Sequence, residues 1–147
     1  MNTNDKVAAT GALKIVVRSA DGTVKQEHEV KNLVVNAGLA YIASRMKDTT
    51  LAAMSHMAIG SGSTAAAGGN TGLGTELGRV ALTSTTVTDN AVSYVATFGA
   101  GVGTGAVTEA GLFNDGTAGT MLCRTVFGVE NKEVGDTMSI TWVVTIS

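Results

Sequence analysis

From Ala12 to Arg18 the chain alternates, with Leu13, Ile15 and Val17 on one side and Lys14, Val16 and Arg18 on the other. A period of two marks a strand with one buried face. Ser19-Ala-Asp-Gly22 follows, and Asp-Gly is a strong hairpin signal. The return segment, Thr23 to Val30, holds Lys25, Gln26, Glu27, His28 and Glu29. That density of charge predicts an exposed or edge strand. Next comes a helix, with Asn36 as the expected N-cap and an apolar stripe at Leu39, Ile42, Ala43 and Met46. Arg45 and Lys47 suit its C-terminal dipole. Ser55 to Ile59 reads as a short buried strand, and Gly60 to Gly74 as a long loop of small residues. Thr75 to Arg79 is either one helical turn or a strand entry. Val80 to Thr88 and Ala91 to Phe98 flank Asp89-Asn90 as a second hairpin. After a glycine-rich loop from Gly99 to Gly105, Val107 to Phe113 and Thr120 to Phe127 form a third, with Leu112 and Phe113 buried before its turn. Thr137 to Ile146 closes the chain with Met138, Ile140, Trp142, Val144 and Ile146 on one face.

The sum is about eight strands and one short helix, at the spacing of a β-sandwich. Successive hairpins favour antiparallel pairing, so the expected fold is a mainly β antiparallel sandwich or jelly-roll-like barrel. Residues 11–147 are expected to form a single domain. Residues 1–10 are small and polar and read as a flexible N-terminal arm, either a free tail or one that orders on a neighbour.

Composition narrows the function. Charged residues make up only 15% of the chain and its net charge is −2. Mean hydropathy is +0.25. Sparse charge points to surface buried against other subunits. No cluster of Lys or Arg supplies the counterion release that drives nucleic-acid binding, so no nucleic-acid partner is expected. The single Cys123 excludes an internal disulfide framework and a cysteine zinc cage within one chain. The first residues lack the apolar core of a signal peptide, and no run approaches the ~20 residues that span a bilayer, so no membrane partner is expected.

Candidate chemistry is thin. Gly60-Ser-Gly-Ser-Thr-Ala65 and Gly101-Val-Gly-Thr-Gly-Ala106 both fit a G-x-G-x-x-A pattern. Neither opens a helix, which a dinucleotide site requires. His28 and His56 lie apart, the first read as a solvated strand residue and the second as a wall residue. Cys123 reads as a small buried hydrophobe. No catalytic, cofactor or metal constellation emerges. The polar residues that stand out are Glu76, Arg79, Glu109 and Arg124, each beside an apolar strand. They are expected to be structural anchors that fix register or orient a subunit contact.

Several blocks resemble a family of small virion structural proteins of tailed bacteriophages: Lys31-Asn-Leu-Val-Val-Asn-Ala-Gly-Leu39, Met57-Ala-Ile-Gly-Ser-Gly-Ser-Thr64, Thr75-Glu-Leu-Gly-Arg79, Glu109-Ala-Gly-Leu-Phe113, Thr120-Met-Leu-Cys-Arg124 and Ser139-Ile-Thr-Trp142. The Glu109–Phe113 block is also similar to a module of tail-collar and tail-fibre proteins. The resemblance implies a non-enzymatic protein made in the host cytoplasm and carried in the virion. Two placements compete: a capsid decoration or cement protein on the outer head surface, and a tail, baseplate or fibre-attachment protein. A single compact domain without a repetitive shaft favours cement. The implied partners are the major capsid protein or other virion proteins, together with self-association as a dimer or trimer. A carbohydrate-binding β-sandwich is the alternative from another class.

Overall fold

A computed structural model describes residues 7–47 and 51–147. Among these residues the chain forms ten strands and one helix. Two five-stranded antiparallel sheets pack face to face. In chain order the first elements are β1 (Ala9–Arg18), β2 (Val24–Lys31), β3 (Leu33–Val34) and α1 (Asn36–Arg45). Then come β4 (His56–Gly60), β5 (Glu76–Ala81), β6 (Ser84–Thr88) and β7 (Ala91–Phe98). The last are β8 (Gly105–Phe113), β9 (Met121–Lys132) and β10 (Thr137–Ile146). One sheet runs β2-β1-β10-β7-β6, and the other β3-β9-β8-β4-β5. The fold is the sandwich that the alternation predicts, and β2 is indeed an edge.

The core fills the space between the sheets. Leu13, Ile15 and Val17 of β1 and Met138, Ile140, Trp142 and Val144 of β10 face Met57 and Ile59 of β4 and Leu112 of β8. Alternation puts the intervening residues of the second sheet on its outer face. There Ala58, Phe113 and Met121 join Val35 in a smaller cluster, with Leu73 and Ala37 packed against it. Leu112 and Phe113 are therefore both buried, but in different layers. Phe113 lies beneath the long glycine loop rather than in the main core.

Three local expectations change, and one that was left open is decided. The ladder begins at Ala9, so Ala9 and Thr10 are strand residues opposite Ile146 and Thr145 rather than arm. Ala8 extends the pairing by exchanging backbone bonds with Ser147, and residues 1–6 of the expected arm lie outside the described residues. Thr75–Arg79 resolves as the entry to β5, not a helical turn. Val80–Thr88 is not one strand, because the chain changes sheets within it. Leu82 N–H donates to Ser55 O, beside the second sheet, whereas Thr83 N–H donates to Val95 O in the first. Together with the short β3, this raises the strand count from about eight to ten.

The helix is also turned from its expected face. Its buried residues are Gly38 and Tyr41, while Leu39 is 47% and Met46 89% exposed. The N-cap is Val35, with no side-chain capping bond, and Asn36 is already helical. Asn36 N–H donates instead to Gly68 O, so the loop carbonyl serves the helix start.

Candidate functional site

The outer face of the second sheet carries most of the organised polar chemistry. Glu109 on β8 points outward, between inward-facing Val107 and Ala110, because a register shift separates Val107 from Glu109. Arg124 on β9 lies two ladder positions along, opposite Gly111. Its Nη2 and Nε donate to Glu109 Oε1 at 2.9 and 3.1 Å. Both side chains are buried, at 0% and 3% exposure.

The rest of the Glu109 carboxylate is taken by the loop between β4 and β5. Gly62 N–H and Thr75 N–H donate to Oε2 at 2.6 and 2.8 Å, and Gly74 N–H to Oε1 at 2.8 Å. Arg124 completes the loop: Nη1 donates to Asn70 Oδ1 and Nη2 to Thr64 O, both at 3.0 Å. Thr108 Oγ1 holds Gly62 O at 2.8 Å. One ion pair thus fixes both ends and the middle of the low-complexity segment.

This arrangement explains the Gly60-Ser-Gly62 pattern. A Cβ at Gly62 would lie 2.3 Å from Glu109 Oε2, and one at Gly60 would lie 2.3 Å from Thr75 O. Glycine is required for close backbone approach to an anion, as in phosphate-binding loops. Here the anion is the chain's own carboxylate. Burial pushes the Glu109 carboxyl upward. The N–H groups of Thr75 and Gly74, the Arg124 guanidinium and the Gly62 N–H outweigh it and hold the group below the ordinary glutamate range.

Glu76 and Arg79 form the other pair, on β5. Arg79 Nη2 donates to Glu76 Oε1 at 2.7 Å. Its Nη1 donates to Asp115 O and Ala118 O at 3.0 and 2.9 Å, in the turn between β8 and β9. The guanidinium carbon stands 3.8 Å over the Phe113 ring centroid, a cation–π contact. Arg79 therefore clamps that turn from the neighbouring strand. The four anchor residues are brought into two pairs, each tying a loop to the second sheet.

Other charged groups escaped the sequence reading. Glu130, Lys132 and Asp136 are all buried. Lys132 Nζ donates to Gly99 O at 2.8 Å, and burial pushes its amine down. Asp136 bonds Lys25 across the sandwich edge and accepts Glu133 N–H; the Lys25 bond is the main cause of its depressed carboxyl range. His28 is a strand residue with its side chain 37% exposed, but it is not free of partners. It lies opposite inward-facing Ile15, its Nδ1 stands 3.2 Å from Glu130 Oε1, and its ring meets Phe127 edge-on. The period-two placement of Glu130 and Lys132 on β9 was the available signal. His56 is half-buried with Nδ1 2.8 Å from Ser55 Oγ, and Cys123 is fully buried, its thiol pushed up by desolvation.

The depressed carboxyls have a consequence for pH. A carboxyl held low in the folded state contributes stability in full above about pH 5, and loses it as pH falls through the folded value. Thermal unfolding should thus show a declining melting temperature on acidification. Asp136→Asn should make that decline shallower. A melting temperature equal at pH 7 and pH 3 would contradict it.

Among the described residues no three His, Cys, Asp or Glu side chains converge to hold a metal ion. No described helix is long and apolar enough to cross a membrane. An open depression of about 390 Å³ lies over Asn70, Leu73 and Arg124, but the Arg124 donors that border it are already engaged. No family model, curated protein or solved structure matches the chain.

Proposed function

We propose that the protein is a non-enzymatic structural component of a tailed-phage virion, and more narrowly a decoration or cement protein on the outer head surface. The observation that carries the non-enzymatic part is the state of the Glu109–Arg124 site. Its carboxylate and guanidinium are consumed by backbone and side-chain bonds that build a loop. A general acid or base needs a free position beside a substrate, and this pair offers none. The virion part rests on the resemblance of the sequence blocks. Two of them, Met57–Thr64 and Glu109–Phe113, supply the loop glycines and the carboxylate of this site.

The mechanism is linkage. A protein that binds the assembled shell and not its separated subunits stabilises the shell by mass action. Repeated copies on a symmetric surface make modest single-site affinity sufficient. The partner is then the major capsid protein, contacted across capsomer seams. The carbohydrate-binding reading loses support, because every Phe, Tyr and Trp side chain is at most 8% exposed. No ring is left on the surface for a sugar to stack on.

The test is fractionation of purified virions followed by add-back. The protein should travel with heads, and heads lacking it should release DNA at lower temperature until it is restored. Recovery solely in tail or baseplate fractions would select the tail-attachment reading. Absence from every virion fraction would end both.

A further inference from the structure

The sheet edges are not protected alike. β2 carries Lys25, Glu27, Glu29 and Lys31, β3 is two residues long, and β5 carries the Glu76–Arg79 pair. Charge and shortness are the usual means of keeping an edge from pairing with another chain. β6 has neither device at its full length. It is Ser84-Thr-Thr-Val-Thr88, uncharged, β-branched from Thr85 onward and exposed at every residue. Among the described residues it pairs with β7 on one side alone. In such a strand alternate residues direct N–H and C=O outward with no partner. Thr85 and Val87 lie opposite Tyr94 and Val92, on the inner face of the sheet. Both border an apolar groove of about 360 Å³ that also takes in Tyr41 and Ile146, and Val87 is 69% exposed.

We propose that β6 is a homotypic docking edge, to which a second copy of this chain adds its own β6 antiparallel about a two-fold axis. The β2-β1-β10-β7-β6 sheet of each copy would then run on into that of the other as one continuous sheet. An axis through Thr86 sets that residue against its counterpart and Thr85 opposite Val87 of the other copy. Val87 of each copy then extends the apolar groove of the other. The strand complements itself, which is why a second copy is the occupant. Thr–Thr is a favourable cross-strand pair, and no charge within β6 meets a like charge. The nearest acid, Asp89, falls opposite Thr83 in this register. The contact is isologous and closes after two copies. A five-residue edge buries less than the about 1,200 Å² of a standard interface, so the dimer is weak and concentration-dependent. Nothing in this inference depends on the virion placement, because it applies to the free protein.

Sedimentation velocity over a concentration series tests it. The wild-type chain should shift from monomer to dimer. Thr86 faces away from the groove, so Thr86→Lys and Thr86→Glu should each weaken the dimer by roughly fivefold or more while keeping the wild-type melting profile. Mixing the two should restore it, because the axis brings opposite charges together. Val24→Lys, on the exposed β2 edge, should leave association unchanged. Thr86→Cys should form a disulfide-linked dimer under mild oxidation, with Cys123 buried and silent. A wild-type chain that stays monomeric and a Thr86→Cys chain that does not crosslink would overturn the proposal. So would a dimer indifferent to charge at position 86, or one lost equally with Val24→Lys. Should a charged variant fail to fold, the crosslink decides alone.

Discussion

Arg124→Met is expected to lower stability by about 3–5 kcal/mol, the usual cost of removing one partner from a buried ion pair. In a domain of this size that is a fall of roughly 10 °C in melting temperature. The loss has a specific origin. Methionine fills much of the space, but Glu109 keeps its charge at 0% exposure and loses two donors to Oε1. Thr64 O loses its Arg124 donor and Asn70 Oδ1 keeps only the Ala67 N–H from within the loop, so the middle of the Gly60–Gly74 loop is no longer tied to the sheet. Limited proteolysis should therefore cut first within residues 63–72. Glu109→Leu should cost at least as much, because it strands the guanidinium together with the N–H groups of Gly62, Gly74 and Thr75.

The double variant discriminates between two accounts of the pair. If Glu109 and Arg124 served each other alone, replacing both by apolar residues would recover most of the loss. Here it should not, because the three loop N–H groups lose their acceptor either way, and an unsatisfied buried donor costs about 1–3 kcal/mol. Thermal and denaturant unfolding of the two single variants and the double variant check this. A melting temperature within about 2 °C of wild type for Arg124→Met would mean that the pair is not what holds the loop.

How much of this was visible beforehand depends on the range of the interaction. The alternation in β1, β7 and β10 reports burial directly, since each side chain meets the core or the solvent according to parity. The crossing at Leu82–Thr83 is invisible to the same signal. A strand that changes sheets can keep its alternation while changing its partners, and those partners are set by distant residues such as Ser55 and Val95. Glu109 and Arg124 stood out by their place beside apolar strands. Their role did not, because the groups they bind are far along the chain: Gly62 lies 47 residues from Glu109, and Asn70 54 from Arg124. The first glycines of that loop fit a G-x-G-x-x-A pattern with no helix behind it. They are close-approach positions of a carboxylate cradle, and no local property of the sequence names the anion.

The helix is where a local rule misled, and it supplies the last prediction. Ranking by hydrophobicity picks Leu39, Ile42, Ala43 and Met46 as the buried stripe. Close packing instead selects the smallest residue. Gly38 sits so near β9 that a Cβ there would lie 2.0 Å from Leu122 O, 2.7 Å from its carbonyl carbon and 2.9 Å from its Cα. All three are backbone atoms of a strand held between β3 and β8, so they have little freedom to yield. Helix propensity alone would make Gly38→Ala stabilising by about 1 kcal/mol. The packing makes it destabilising by about 1–3 kcal/mol. Leu39→Ala supplies the reverse contrast. A core leucine would cost about 2–5 kcal/mol on truncation, whereas a half-exposed one should cost about 1 or less. Paired melting curves should therefore place Gly38→Ala below Leu39→Ala. The opposite order would mean that the helix presents its leucine face to the sheet.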